Sequence, residues 1–356
     1  METGLFVRER FRGFITAAVG FLALFAMGAV LRAQSINMQY VTVGNPGNAA
    51  DPATGVYTDS GYEHFGSVGY TYNIGEYDVT DSQYCTFLNA VDPTGANALY
   101  LYSPLADAEF GISVNQAAVS GSKYSVIPGY ANMPVVDVDY WDTLRFANYL
   151  DDGNTEAGAY TLIGGSTDEF GTPSNASSLL TNPQPNAGAS VWLPSENEWY
   201  KAAYYNPANG TYSTYATQNN TAPGNIIGSG TNEANYYTGN AYSVTQSSSD
   251  DSSQNYLTAV GSFSGSPSYY GTFDQSGDVF NCNSTIVSAN APVLHGGFWN
   301  SPSFALSSTA RYYFSQNYQG NAFGFRVASV PEPTSMVLML AGVAGLGLMR
   351  GKCSKL

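Results

Sequence analysis

Trp192-Leu193-Pro194-Ser195-Glu196-Asn197-Glu198-Trp199 compresses the end of a strand, a proline break and the start of a helix into eight residues. Residues 190–193 read as a strand, and Pro194 ends it because proline brings no amide to a ladder. Ser195 caps the helix that follows, and Glu198 closes a capping box by reaching back to the cap amide. Trp199, Ala202 and Ala203 face inward. Upstream, Thr80-Asp81-Ser82-Gln83 repeats the box, and Tyr84, Phe87, Leu88 and Val91 follow the i, i+3, i+4, i+7 spacing of one buried face. Another helix starts near Asp139, with Trp141, Leu144, Phe146, Ala147 and Leu150 available for packing, and stops before Asp151-Asp152-Gly153. Short strand-like stretches at 69–74, 159–163, 190–193 and 323–330 complete an α+β reading with heavy irregular content.

The region from 206 to 271 is rich in Asn, Ser, Gly and Tyr and reads as long loops. Its tyrosines recur often enough to pin it onto a surface, whereas disordered chain is poor in aromatics. No internal repeat is found.

The two ends are read apart from the fold. Arg8, Arg10 and Arg12 precede an apolar run over 14–30 and a small-residue exit near Ala33. That order describes a secretory signal at 1–33, with a retained signal anchor as the alternative because Leu31-Arg32-Ala33 is an imperfect cleavage site. At the other end Val330-Pro331-Glu332-Pro333 leads into an apolar run over 336–349 and then Arg350, Lys352 and Lys355. About 20 residues are needed to span a bilayer, so this run is short. Pro-Glu-Pro, greasy helix and basic end resemble, in that order, the PEP-CTERM sorting signal of Gram-negative bacteria. The resemblance implies that 330–356 is a tail touching the membrane transiently and cut by an exosortase. It further implies a protein exported to the cell envelope, outer surface or extracellular matrix. A plain C-terminal membrane anchor is the alternative.

Between the ends only Lys123, Arg145, Lys201, Arg311 and Arg326 remain as bases against 24 acids, leaving residues 34–329 about 19 units negative. Such a surface repels phosphate backbones, which argues against a nucleic-acid partner. Cys85 and Cys282 sit beside apolar residues and are expected as separate buried thiols.

Several junctions recur in a fixed order: Tyr77-Asp78-Val79-Thr80, Pro134-Val135-Val136-Asp137-Val138, the stretch at 192–199, Gly277-Asp278-Val279-Phe280-Asn281, Gly296-Gly297-Phe298-Trp299-Asn300 and Gly324-Phe325-Arg326-Val327. Together, over about 38 to 329, they resemble the formylglycine-generating enzyme family, the sulfatase-modifying factors. The resemblance implies a C-type-lectin-like fold, sparse in regular structure and stiffened by calcium. In active members, copper(I) held by two cysteine thiolates oxidises a sulfatase cysteine. Those cysteines correspond approximately to Ser301 and Leu306 here, and neither supplies the sulfur that soft copper(I) requires. Oxidase chemistry and a copper cofactor are therefore expected to be absent.

The resemblance also implies calcium ligands at Asp278, Val279 and Asn281, and at Asn235 and Tyr236 with Asp250 or Asp251. Hard Ca²⁺ takes oxygens from such irregular chain, though Asx-turns closed by hydrogen bonds explain the same residues. His295, Trp299, Asn300, Arg311, Tyr312 and Tyr313 would flank the degenerate groove, His295 at its rim. Arg311 and Arg326 are each expected to pair with a carboxylate.

Other chemistries find little support. His64 and His295 are too few and too far apart in sequence for a histidine-carboxylate iron site. Gly261-Ser262-Phe263-Ser264-Gly265 has the letters of a nucleophile elbow without its helix. Glu196 and Glu198 read as first-turn helix charges. The expectation is a non-catalytic binding or structural module, its groove suited to exopolysaccharide or an extended peptide. A modifying enzyme with altered chemistry is the alternative.

Overall fold

The computed structural model describes residues 36–58, 61–103, 111–181, 183–287 and 290–331. The stretch read as a secretory signal, 1–33, and the one read as a sorting tail, 330–356, lie outside the described residues, apart from exposed Val330 and Pro331.

The first half runs β1 (Tyr40–Val43), β2 (Val56–Thr58), β3 (Gly61–Glu63), β4 (Tyr72–Gly75), α1 (Asp81–Val91), β5 (Ile112–Val114), β6 (Tyr124–Val126), α2 (Tyr140–Asp152) and α3 (Ala176–Thr181). The second runs β7 (Val191–Trp192), α4 (Glu196–Tyr204), β8 (Tyr205–Asn206), β9 (Thr211–Tyr212), β10 (Phe280–Val287), β11 (Ala291–His295), a 3-10 turn (Ser303–Leu306), β12 (Tyr312–Tyr313), β13 (Phe323–Phe325) and β14 (Ala328–Ser329). This is an α+β fold with little regular structure.

All three main helices start on the capping chemistry of their sequence. Thr80 accepts from the Gln83 amide at 3.3 Å while the Gln83 side chain takes the Thr80 amide at 2.9 Å. Ser195 and Glu198 do the same for α4, and Asp139 with Asp142 for α2. Gly153, with φ 82°, ends α2 in the left-handed conformation that glycine adopts without strain. The helix thus includes Asp151 and Asp152.

Two four-stranded sheets organise the strands, in the orders β1-β4-β14-β7 and β12-β11-β10-β13. The first is antiparallel throughout; in the second, β10 pairs with β13 in parallel. The main core joins α1 and α2 to both sheets through aromatic edges, with Phe146 5.3 Å from both Phe87 and Phe325.

Three strand expectations change. The stretch at 323–330 is two strands in different sheets, β13 and β14, and the crossing between them buries Arg326. The stretch at 159–163 is not a strand, because its backbone partner is a side chain. The Asn148 amide donates to the Tyr160 carbonyl at 2.9 Å and its oxygen accepts the Tyr160 amide at 2.7 Å. Of residues 69–74 only the last three are strand, in β4, which runs Tyr72–Gly75. The long stretch after 206 is irregular, as read, and anchored by buried Tyr215, Tyr236, Tyr242 and Tyr256.

Candidate functional site

The first turn of α4 places Glu196 inside the protein, where three elements meet on its carboxylate. Arg311 grips it with a bidentate fork, Nε to Oε1 at 2.7 Å and Nη2 to Oε2 at 2.8 Å. His295 on β11 adds Nε2 to Oε1 at 2.9 Å, and its Nδ1 lies 3.0 Å from the Ala310 carbonyl. Both ring nitrogens therefore face oxygen partners. Burial pushes the Glu196 carboxyl up, but Arg311 and His295 outweigh it and hold the group below its ordinary value. The imidazole stacks on Trp199 at 5.4 Å and 16°, while the Arg311 guanidinium lies 5.0 Å from the Phe65 ring.

This arrangement corrects the rim position expected for His295. Its side chain is wholly buried, because Trp199 covers one face and Glu196 takes the ring edge that would have reached a groove. Glu196 is more than a helix-dipole charge: it joins α4 to β11 and to the chain before β12.

A second polar centre lies behind Trp199, whose indole Nε1 donates to Asn281 Oδ1 at 2.8 Å. Arg326 donates to the same oxygen at 2.7 Å, to Asp78 Oδ1 at 2.9 Å, and to the Gly75 and Phe273 carbonyls at 3.1 and 2.9 Å. Both arginines therefore have the carboxylate partners expected of them. Asp274 and Asp278 sit within electrostatic reach of Asp78. Burial pushes Asp274 up to about 7, and burial with the Asp274 charge pushes Asp278 well above the usual carboxylate range. Of these three acids Arg326 pairs with Asp78.

Asn235 and Asp278, 43 residues apart, do come together: the Asn235 side-chain amide donates to Asp278 Oδ1 at 2.8 Å. Thr258 donates to both carboxylate oxygens, its amide to Oδ1 at 3.1 Å and its hydroxyl to Oδ2 at 3.0 Å. A Cβ at Gly277 would run into the Asn235 carbonyl, so the turn requires glycine. Tyr236 and Val279 are buried beside this junction. Asp251 is elsewhere, exposed and capping its own turn through Ser253. For a calcium ion the oxygen donors fit in kind. Asp278 and Asn235 would hold it, and carbonyls would supply the rest. Among the described residues no three His, Cys, Asp or Glu side chains converge as a metal centre.

Trp299 and Asn300 belong to a third cluster. Trp299 stacks on Tyr256 at 4.9 Å and 12°, Tyr256 meets Tyr242 at 4.5 Å, and Tyr242 meets Tyr237 at 4.6 Å. The Tyr242 hydroxyl donates to Asn300 Oδ1 at 3.1 Å. Tyr312 packs on Phe280 at 5.0 Å. The residues expected around one groove are thus divided among a buried ion-pair network, a tyrosine stack and an aromatic sheet face. Asp78, Asp274, Glu196 and Thr258 were not singled out as site residues. The signal that could have found the acids is the pair of arginines, Arg311 and Arg326, since a buried guanidinium needs an acid.

At the positions corresponding to the copper ligands, the Ser301 hydroxyl accepts the Phe298 amide at 3.0 Å, and Leu306 lies buried among Tyr215, Ala234 and Tyr236. Cys85 on α1 and Cys282 on β10 are free, buried thiols. Burial pushes Cys85 up to about 11 and Cys282 further.

The sulfatase-modifying factor enzyme 1-like domain matches residues 48–330, and the chain belongs to that family. No curated protein matches the chain. Among solved structures, CarF is similar at 18% identity and a TM-score of 0.53, covering 84% of this chain and 100% of its own. PvdO from Pseudomonas aeruginosa is similar at 16% identity and 0.46, covering 84% and 97%. Treponema denticola variable protein 1 is similar at 19% and 0.46, also covering 84% and 97%. The fold is the C-type-lectin-like one of the family, low in regular structure.

Proposed function

We propose that this chain is an exported, surface- or matrix-sorted binding module that keeps the scaffold of the sulfatase-modifying factors without their oxidation chemistry. One observation carries the reading: no cysteine lies between Gly297 and Arg326, and the positions that the family resemblance gives approximately for the copper ligands are Ser301 and buried Leu306. Copper(I) is soft and needs sulfur. The two described thiols lie on α1 and β10, and their raised pKa keeps them protonated near neutrality. The buried charges offer no obvious substitute, since Glu196, His295 and Arg311 satisfy one another.

The reading includes export through the segment at 1–33 and processing by an exosortase at the tail that begins Val330-Pro331-Glu332-Pro333. It also includes calcium as a structural ligand of the Asp278 turn, supported by the oxygen donors of Asp278 and Asn235. Its partner at the cell surface would be exopolysaccharide or an extended peptide.

The family's name favours a second reading, a modifying enzyme. The two separate in one assay. The chain is incubated with copper(I), oxygen and a Cys-x-Pro-x-Arg peptide, and aldehyde is measured. No aldehyde above a protein-free control is expected. Turnover with tight copper binding would sink the binding-module reading and establish the enzyme.

A further inference from the structure

The aromatic face beside β13 is a candidate surface that none of the clusters above uses. Tyr313, Phe314 and Tyr318 are 59%, 38% and 44% exposed, unusual for rings in a chain whose other aromatics are mostly buried. Phe314 and Tyr318 lie 5.1 Å apart at 41°, and both rest on Phe323, at 4.9 and 4.7 Å. Their loop is held in place. The Asp137 amide donates to the Gly320 carbonyl and the Tyr140 amide to the Gln316 carbonyl, both at 3.1 Å. The Trp141 indole donates to Asn317 Oδ1 at 2.8 Å, and Gln319 bonds the Asp142 carboxyl. The start of α2 thus pins a loop whose rings face water. A Cβ at Gly320 would lie 2.8 Å from the Tyr318 ring, so glycine lets that ring lie close against the backbone.

The chemistry of the face selects its ligand. From Tyr312 to Phe325 the chain carries no charged side chain, only rings, hydroxyls, amides and small residues. It sits on a protein of formal net charge -15, whose field disfavours a polyanion, and the stretch itself carries no carboxylate to seat a cation. Aromatic faces carry negative charge density that attracts polarised C–H groups. Amides and hydroxyls match hydroxyls, and a fixed loop loses little freedom on binding. A sugar ring with its C–H face and rim of hydroxyls meets all of these demands. We infer that Phe314 and Tyr318, with Tyr313 beside them, form a stacking platform for a neutral glycan chain. This rests on the binding-module reading and adds to it a ligand class and a location apart from Trp299 and Arg311.

The test is binding of the full chain, kept in a detergent without a sugar headgroup, to cello-oligosaccharide and mannan, with polygalacturonate as the acidic comparator. Neutral glycan should bind and polygalacturonate should not. Phe314→Ala and Tyr318→Ala should each weaken binding roughly three- to tenfold, the range implied by ring contacts of about 0.5–1.5 kcal/mol. The double Phe314→Leu, Tyr318→Leu variant keeps apolar bulk without ring faces and should lose binding equally, with its melting temperature unchanged. Phe304→Ser, at an exposed ring outside this cluster, should bind as the parent does.

Glycan binding insensitive to Phe314 and Tyr318 would overturn the platform and leave the binding-module reading standing. Preference for the acidic polymer, no binding to either neutral glycan, or self-association abolished by the double variant would each overturn the platform too. Only aldehyde formation in the copper assay removes the reading beneath it.

Discussion

Arg326 donates from every nitrogen of its guanidinium while wholly buried. Replacing it with methionine takes the guanidinium away from Asp78 and leaves Asn281 as the remaining side-chain partner of that buried carboxyl. Stranding a buried charge in this way costs about 3–5 kcal/mol, so Arg326→Met should lower the denaturant midpoint sharply. Arg326→Lys should recover less than half of the loss, because an ammonium cannot reproduce the planar fork. A loss below about 1 kcal/mol in urea unfolding would show that the network is not structural. At this scale the sequence was partly legible. Two arginines among five internal bases had to find acids, and they did. Which acids they chose, and that His295 would be sealed under Trp199, depended on residues about 100 to 250 positions away, beyond the reach of local spacing.

Helices were easier to read than strands because their signals are local. Thr80, Asp139 and Ser195 mark the starts through side-chain chemistry within three residues. The longest strand, β10, passed unnoticed because Phe280, Asn281, Cys282, Asn283 and Ser284 are all buried. A strand covered on both faces shows no alternation, and buried asparagines disguise it further. Asn281 is satisfied there by Trp199 and Arg326 at its oxygen and by the Val279 carbonyl at its amide. The turn that feeds β10 is where calcium can be tested. Occupancy at Asp278 should raise the melting temperature by several degrees on adding millimolar calcium, reversed by EDTA and lost in Asp278→Asn. A melt indifferent to both additions would leave the Asn235 and Thr258 hydrogen bonds as the whole explanation of the turn.

Over the whole molecule the buried acids set a pH dependence of unusual sign. Burial pushes Asp274 and Asp142 up to about 7 and Asp81 up to about 9. Each folded value exceeds the ordinary value of 3.8, so the folded protein holds protons that the unfolded chain releases. Their contribution is complete below about pH 4 and is lost as pH rises through about 7 and then 9. Glu196 has the opposite slope, but it is held below its ordinary 4.5 and so is flat above that value. The melting temperature should therefore fall between pH 5 and pH 8.5, and Asp274→Asn should flatten part of the fall. A melting temperature that climbs over this range would show these carboxyls to be ionised and paired in the folded state.

β14, the last strand among the described residues, has β4 on one side and β7 on the other, and the Val330 amide adds a bond to the Ser190 carbonyl. An interior strand of this kind sets a limit on trimming. A cut between Val330 and Pro331, both exposed, leaves both ladders intact, whereas a cut before Ala328 removes the piece that joins β4 to β7. For a chain tethered or released at that end, Ala328 and Ser329 would also bear any tensile load, through bonds to neighbours on both flanks at once.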